Sequence, residues 1–271
     1  MKDNSELFDL RRGKRLENIV DALPPKFNCM YMGLYGSQNY MLDDENSDVD
    51  AKAIVIPSLN DLIESNEVST SYTNDNDEIL DVKDIRVMFK QFLKSNVNFL
   101  EILFTNDYIY NKEFSSEVAA IRDMREDIAR YDIKTLVKAN YGMMINKFKS
   151  LTKVRPSTEK VITLYGYSGK DACHIVRMSE LINNFIVNGM SFKSSLDVRN
   201  SGKEHLMRML KKNDYNGNLA IKVCEKELEK TKALVDRVVE SNEYYTNLKI
   251  RYNLKDIEKS VIEKAVKASF E

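Results

Sequence analysis

Residues 33–57, GLYGSQNYMLDDENSDVDAKAIVIP, combine a glycine-serine pair with two closely spaced aspartates. Gly36 and Ser37 follow an apolar segment, and after ten intervening residues Asp48 and Asp50 begin the next one. Side chains alternate along a strand, so both carboxylates are expected on one face. Like charges that close raise the pKa of at least one carboxyl, whereas a divalent cation between them keeps both ionised. Oxygen ligands without nearby His or Cys favour Mg²⁺ or Mn²⁺ there.

The glycine-serine pair predicts a phosphate site beside that cation. Gly36 lacks a Cβ, so a phosphate can approach the backbone, and Ser37 adds a hydroxyl to successive N–H groups. A phosphate cradle with metal-binding carboxylates is the minimum for phosphoryl or nucleotidyl transfer. A bare triplet is not specific, because Asp75-Asn76-Asp77 repeats it. The ordered set carries the prediction, and the alternative is an acidic loop before an ordinary strand.

These residues resemble the signature of the nucleotidyltransferases of the DNA polymerase beta superfamily, a Gly-Ser or Gly-Gly after the first strand and then Asp-x-Asp or Asp-x-Glu. GSQNYMLDDENSDVD is similar to the GSxxYGLxxxxSDxD pattern of a bacterial and phage branch, the predicted nucleotidyltransferases or RNA repair pathway DNA polymerase beta family. Met41 stands where that pattern has glycine. The segments KSNVNFLEILF, KDACHIVRM and GKEHLMRML resemble later parts of the branch more weakly.

The resemblance implies an α+β fold, a polymerase beta-like mixed sheet with flanking helices, followed by an all-helical domain. It also implies an enzyme that moves a nucleoside monophosphate from ATP or another triphosphate to a hydroxyl and releases pyrophosphate. Two Mg²⁺ (or Mn²⁺) ions would be held by Asp48, Asp50 and a third acid. We predict Asp81 as that acid, since alternation then sends its neighbours Leu80 and Val82 into the core. Asp84 is the alternative, although it is also placed to cap the next helix.

Lys170, His174 and Arg177 recur at i, i+4 and i+7, which predicts a single stripe along a helix. By the resemblance, this stripe faces the cleft and binds the nucleotide or the acceptor. A solvated face with a partly buried histidine explains the same spacing. Tyr40, Tyr165 and Tyr167 are candidates for stacking on a base without discriminating among bases. Glu101 is predicted to support packing or a salt bridge.

Hydrophobic periodicity divides the chain into a mixed part and a helical part. It predicts an amphipathic helix from Ser5 to Leu23, strands in FNCMYMGLYG, DVDAKAIVIP and EILDV, a short helix after Ser58, and a surface loop in NEVSTSYTNDND. Beyond about residue 110 nearly every segment has helical spacing. We therefore predict a nucleotidyltransferase domain over 1–110 and a helical domain closing the cleft over 111–271.

Composition restricts the partners. Lys+Arg 41 against Asp+Glu 42 gives a net charge of -1, so no global field attracts nucleic acid or anionic lipid. The three widely spaced cysteines fit buried, reduced thiols. The N-terminal segment lacks the apolar region of a secretory signal, and no apolar run is long enough for a membrane span. A cytoplasmic protein is expected.

The acceptor is open among an RNA 3′ end, a protein hydroxyl and a small molecule, and RNA is favoured by the branch's name alone. The oligomeric state has no signal in the sequence. Two other classes of function fit part of the pattern. One is a catalytically silent, antitoxin-like binding or regulatory protein, against which the presence of all three acids argues. The other is a nucleic-acid end-binding protein with a structural ion, which the near-neutral charge disfavours.

Overall fold

The computed structural model describes residues 16–43, 47, 49–74 and 78–270. Its strands are β1 (Asn28–Tyr35), β2 (Asp50–Ile56), β3 (Ser69–Thr73), β4 (Ile79–Asp84) and β5 (Tyr108–Tyr110). They form one mixed sheet in the order β3-β4-β2-β1-β5. β2 and β4 run parallel, and the other neighbouring pairs are antiparallel. The start of β2 therefore lies between the end of β1 and the start of β4.

Helices make up most of the remaining described chain. They are α1 (Glu17–Val20), α2 (Leu59–Ile63), α3 (Ile85–Leu93), α4 (Val97–Leu100), α5 (Ser115–Asp123), α6 (Arg125–Ala129), α7 (Ile133–Ser150), α8 (Glu159–Tyr165), α9 (Gly169–Ile182), α10 (Phe192–Leu196), α11 (Glu204–Lys211), α12 (Gly217–Glu240) and α13 (Leu248–Ala268). A π-helical turn, Asn183–Val187, continues α9. No helix among the described residues is both long and apolar enough to cross a bilayer.

The chain divides into two compact units. The first holds the described residues within 1–39, 43–131 and 247–271, and the second those within 40–42 and 132–246. This differs from the predicted division at residue 110, chiefly because α13 belongs to the first unit. Its Ser260 and Lys264 donate to the α5 carboxylate of Glu117 at 2.8 and 3.0 Å. Helical spacing predicts α13 but does not specify its packing partner.

Strand alternation separates two faces of the sheet. Ala51 and Ala53 of β2, together with Leu80 and Val82 of β4, are fully buried in a core with α1. The prediction that Leu80 and Val82 enter the core is therefore confirmed. The residues between them, including Lys52 and Asp81, project from the opposite face. Cys29, Cys173 and Cys224 are buried free thiols, as predicted.

Two helices begin at the capping residues that the sequence indicates. Ser58 and Asp61 form a reciprocal capping box at α2. The Asp84 carboxylate accepts from the backbone N–H groups of Arg86 and Val87 at the start of α3, whose buried face is apolar. Both predicted helix starts are confirmed.

Short or polar elements escaped the sequence prediction. The predicted surface loop contains β3, an edge strand without a buried side chain, which pairs with β4 through its backbone. β5 has three residues, too few for a periodic pattern. The helix predicted from Ser5 to Leu23 is described only as Glu17–Val20, and its earlier part lies outside the described residues. Apolar alternation identifies strands that bury side chains, and β3 buries none.

Candidate functional site

The Gly36 bend lies beside the start of β2. Tyr35, the last residue of β1, is the register partner of Asp50, the first residue of β2. Gly36 follows at φ +86°, a left-handed conformation in which a Cβ is strained. A Cβ there would meet nothing within 4 Å, so conformation, not crowding, requires this glycine. Ser37, which follows, is half-buried in the turn after the bend.

Glu101 holds the bend in place. Its side chain is only 1% exposed, and its Oε2 accepts the Gly36 N–H at 3.3 Å. Its carbonyl oxygen accepts Nδ2 of Asn39 at 2.9 Å, at the other end of the same turn. The prediction gave Glu101 a role in packing or a salt bridge, and the structure adds that this residue positions the Gly36 bend. An acid inside the apolar segment NFLEILF was the available signal, because buried carboxylates require partners.

Acids and lysines alternate on the face of the sheet beside this bend. Lys52 and Asp81 are register partners in the parallel β2–β4 pair, with Lys52 Nζ 3.3 Å from Asp81 Oδ2. Lys83 Nζ lies 3.0 Å from Asp81 Oδ1, which also accepts the Ser71 hydroxyl at 3.4 Å. Asp50, two residues before Lys52, accepts the N–H of Ile79 at 2.9 Å. The face is therefore a mixed cluster with two ammonium groups.

Lys52 is the most enclosed member of this cluster. The residue is 5% exposed, and its ammonium lies 3.5 Å from the Tyr35 ring centroid and 5.0 Å from that of Phe99. Burial lowers the pKa of Lys52, although Asp81 and Glu101 act to raise it. Burial, and then the charges of Asp50, Asp81 and Glu101, raise the pKa of Tyr35. Tyr35 is therefore a neutral phenol beside a charged pair.

The predicted metal ligands fit a divalent ion unequally. Asp50 offers hard carboxylate oxygens on a backbone held by the sheet, as Mg²⁺ requires. Asp48 lies outside the described residues. Asp81 fits poorly, since an ion would compete with two ammonium groups for its oxygens. Within the described part of the chain, no group of three or more His, Cys, Asp or Glu side chains could hold a metal.

Asp84, the alternative third acid, is a structural residue. It is fully buried and, besides its two cap contacts, accepts the N–H of Val68 at 3.0 Å. Arg86 Nη2 lies 2.7 Å from Asp84 Oδ2, the oxygen that accepts the Val68 N–H. A carboxylate with this many donors is committed to the start of α3.

The predicted cationic stripe lies on α9, in the second unit, whereas Gly36, Asp50 and Asp81 lie in the first. Lys170 is exposed, His174 is half-buried and Arg177 is only 4% exposed. The guanidinium of Arg177 stacks on the Tyr40 ring, 3.6 Å from its centroid. The stripe is therefore not an ordinary solvated face.

Arg177 and His174 each bury a nitrogen without a hydrogen-bond partner among the described residues, Nη1 and Nε2 respectively. Arg177 Nη2 lies 3.4 Å from His174 Nδ1. Since arginine can only donate, Nδ1 accepts and the ring proton is assigned to Nε2. Burial, followed by the charges of Arg177 and Lys147, lowers the pKa of His174 well below its usual range. The stripe thus offers a neutral histidine and two unpaired buried donors.

The tyrosines predicted to stack on a base differ in access. Tyr40 is 6% exposed beneath Arg177, and Tyr167 is fully buried with its hydroxyl donating to the Tyr215 carbonyl. Tyr165 is 47% exposed. Of these three, Tyr165 has a ring face open to a ligand.

The crystal structure of a nucleotidyltransferase-like protein from Exiguobacterium sibiricum 255-15, at 1.90 Å resolution, is similar over 96% of this chain and 92% of that chain. The similarity has a TM-score of 0.35 and 11% sequence identity. No protein-family model matches the chain, and no curated protein matches its sequence.

Proposed function

We propose that this protein is a metal-dependent nucleotidyltransferase that moves a nucleoside monophosphate from a nucleoside triphosphate to a hydroxyl and releases pyrophosphate. The observation that carries the proposal is the pairing of Tyr35 with Asp50. Through it, the left-handed Gly36 bend directly adjoins an acid at the start of the next strand. A glycine bend beside an acid can place phosphate oxygens next to a metal-binding carboxylate, as transfer from a metal-bound triphosphate requires.

In this proposal Asp50 and Asp48 hold Mg²⁺ or Mn²⁺ and the residues after the Gly36 bend hold phosphate oxygens. A bound ion would neutralise the triphosphate and polarise its α-phosphoryl group. The acceptor oxygen forms a bond to the α-phosphorus while the bond to the β-phosphate oxygen breaks, and pyrophosphate leaves with that electron pair. The acceptor's proton passes to water, since both oxygens of Asp81 are already paired with ammonium groups. Glu101 positions the bend and does not touch the substrate.

We propose that Lys170, His174 and Arg177 of the second unit donate to an anion such as a nucleotide phosphate. Two buried donors, His174 Nε2 and Arg177 Nη1, have no hydrogen-bond partner among the described residues, and this supports the proposal. A buried donor destabilises the fold unless an acceptor binds to it. Phosphate oxygens are acceptors of the right kind. Exposed Tyr165 is then the candidate for stacking on the base.

The acceptor we favour is an RNA 3′ hydroxyl, with a protein hydroxyl or a small molecule as the other possibilities to test. The net charge of -1 means that any contact with RNA is local.

A second candidate, a catalytically silent binding or regulatory protein, is favoured by one observation. Asp81 is paired with two lysines, so the acid cluster is partly neutralised by the protein itself. Such a protein would bind a nucleotide without transferring it.

The test is incubation with each α-phosphate-labelled nucleoside triphosphate, Mg²⁺, and either total RNA or a protein lysate. Asp48→Asn and Asp50→Asn are compared with wild type, and the exposed Asp236 provides the matched control, Asp236→Asn. We expect wild type and the control to transfer label, and the site variants to lose about 100-fold or more. Pyrophosphate release without labelled macromolecule would indicate a small acceptor.

Equal labelling by wild type and Asp50→Asn would contradict the enzyme. Stabilisation of the wild type by nucleotide and Mg²⁺, without transfer to either acceptor and without pyrophosphate release, would support the silent binding protein instead.

A further inference from the structure

Lys52 is a charged residue enclosed within the candidate site. Its ammonium is bounded by Asp81 at 3.3 Å and by the rings of Tyr35 and Phe99. With 5% of the residue exposed, the ammonium is largely removed from water. A buried ammonium that lost its carboxylate would be left uncompensated, which is the most costly state for such a group. The Lys52–Asp81 pair is therefore a fixed part of the sheet face.

Lys83 completes the neutralisation of Asp81 from the other side. Its Nζ lies 3.0 Å from Asp81 Oδ1 and also donates to Ser69 Oγ at 3.0 Å. Each oxygen of Asp81 thus has an ammonium neighbour. A divalent ion bound at Asp81 would share those oxygens with two positive charges, and like charges at such distances repel strongly.

We propose that Asp81 is not a metal ligand, and that Lys52, together with Lys83, supplies the positive charge there, so that the site takes a single divalent ion through Asp50. This inference rests on the proposed function. It replaces the two-ion arrangement that the resemblance implies, in which Asp81 is the third ligand. Lys52 is therefore a residue of the candidate site, although it lies outside the Asp-x-Asp motif.

The test counts Mn²⁺ ions bound per chain in the absence of nucleotide, from the electron paramagnetic resonance signal of free Mn²⁺. We expect one ion on the wild type, one on Asp81→Asn, and none on Asp50→Asn. Removing both ammonium groups, in Lys52→Met/Lys83→Met, should allow a further ion at Asp81. Lys232→Met, which removes an exposed lysine, should bind as the wild type does.

Two ions on the wild type, falling to one in Asp81→Asn, would overturn the inference and leave the proposed enzyme standing. A count that stays at one in the double lysine variant would overturn the role of Lys52. No ion on the wild type, or an unchanged count in Asp50→Asn, would defeat the proposed metal-dependent function itself. If a variant fails to fold, the wild-type count, one or two, still decides.

Discussion

The backbone N–H of Gly36 donates to the buried carboxylate of Glu101, 65 residues further along the chain. The same residue accepts Nδ2 of Asn39 through its carbonyl oxygen. The bend that begins the candidate phosphate site is therefore held by the segment after α4, not by its own sequence alone. Substitutions at either residue should test this support.

Gly36→Ala should destabilise the protein by about 1–2 kcal/mol, because alanine is strained at φ +86° even where its Cβ has space. The measurement is denaturant unfolding. Gly142→Ala, in the interior of α7 and equally free of steric contact, is the matched control and should be neutral or stabilising. Equal effects at the two positions would contradict the strained bend.

Glu101→Ala should cost about 1–3 kcal/mol, since it removes the buried acceptor of the Gly36 N–H. Glu101→Gln should cost less, because its amide oxygen can still accept. Urea unfolding of the two variants compares them. An equal loss with glutamine and with alanine would indicate that the charge, and not the hydrogen bond, supports the site.

Asp84→Ala should cost at least about 2 kcal/mol, because removing this fully buried carboxylate leaves several backbone N–H donors without their acceptor. Ser58→Ala, at the more exposed cap of α2, should cost about 1 kcal/mol. Thermal or denaturant unfolding measures both. Asp84→Asn that folds should keep nucleotidyl transfer activity. Loss of that activity in a variant as stable as the wild type would indicate that Asp84 is a catalytic acid.

Arg177→Met should weaken nucleotide binding by about 10- to 100-fold, the range expected for a charge-assisted hydrogen bond. Nucleotide-dependent thermal stabilisation measures the effect, and Lys232→Met is the control. Mn²⁺ binding by Arg177→Met should be unchanged. Unaltered nucleotide affinity would contradict a role for Arg177 Nη1 in nucleotide binding.

Glu117 should make acid unfolding depend on one contact between α5 and α13. Burial alone would raise the pKa of Glu117, but hydrogen bonds from Lys264, Ser116 and Ser260 outweigh it and lower the pKa to about 2. A lowered folded pKa adds stability above the unfolded value, near 4.5, which is lost as pH falls toward 2. Glu117→Gln should flatten the stability profile across that window, measured by unfolding at successive pH values. An unchanged profile would contradict this coupling.

Much of the fold follows from local pattern. The apolar strands β1, β2 and β4 were predictable, as were the helix caps at Ser58 and Asp84 and the buried positions of Leu80 and Val82, because each depends on neighbours in the chain. The edge strand β3 was not, since it pairs with β4 through its backbone and has no fully buried side chain to give a pattern. The placement of α13 against α5 likewise depends on contacts between distant segments.

By itself, the sequence determined the order of the glycine bend, the acids and the strands that carry them, because periodicity and turn chemistry are local properties. Only the tertiary structure decided which charges meet. The parallel register of β2 and β4 places Lys52 opposite Asp81, 29 residues away, and the packing of the segment after α4 brings the Glu101 carboxylate to Gly36. Register is set by the burial of the whole opposite face, so no single motif could specify these pairs.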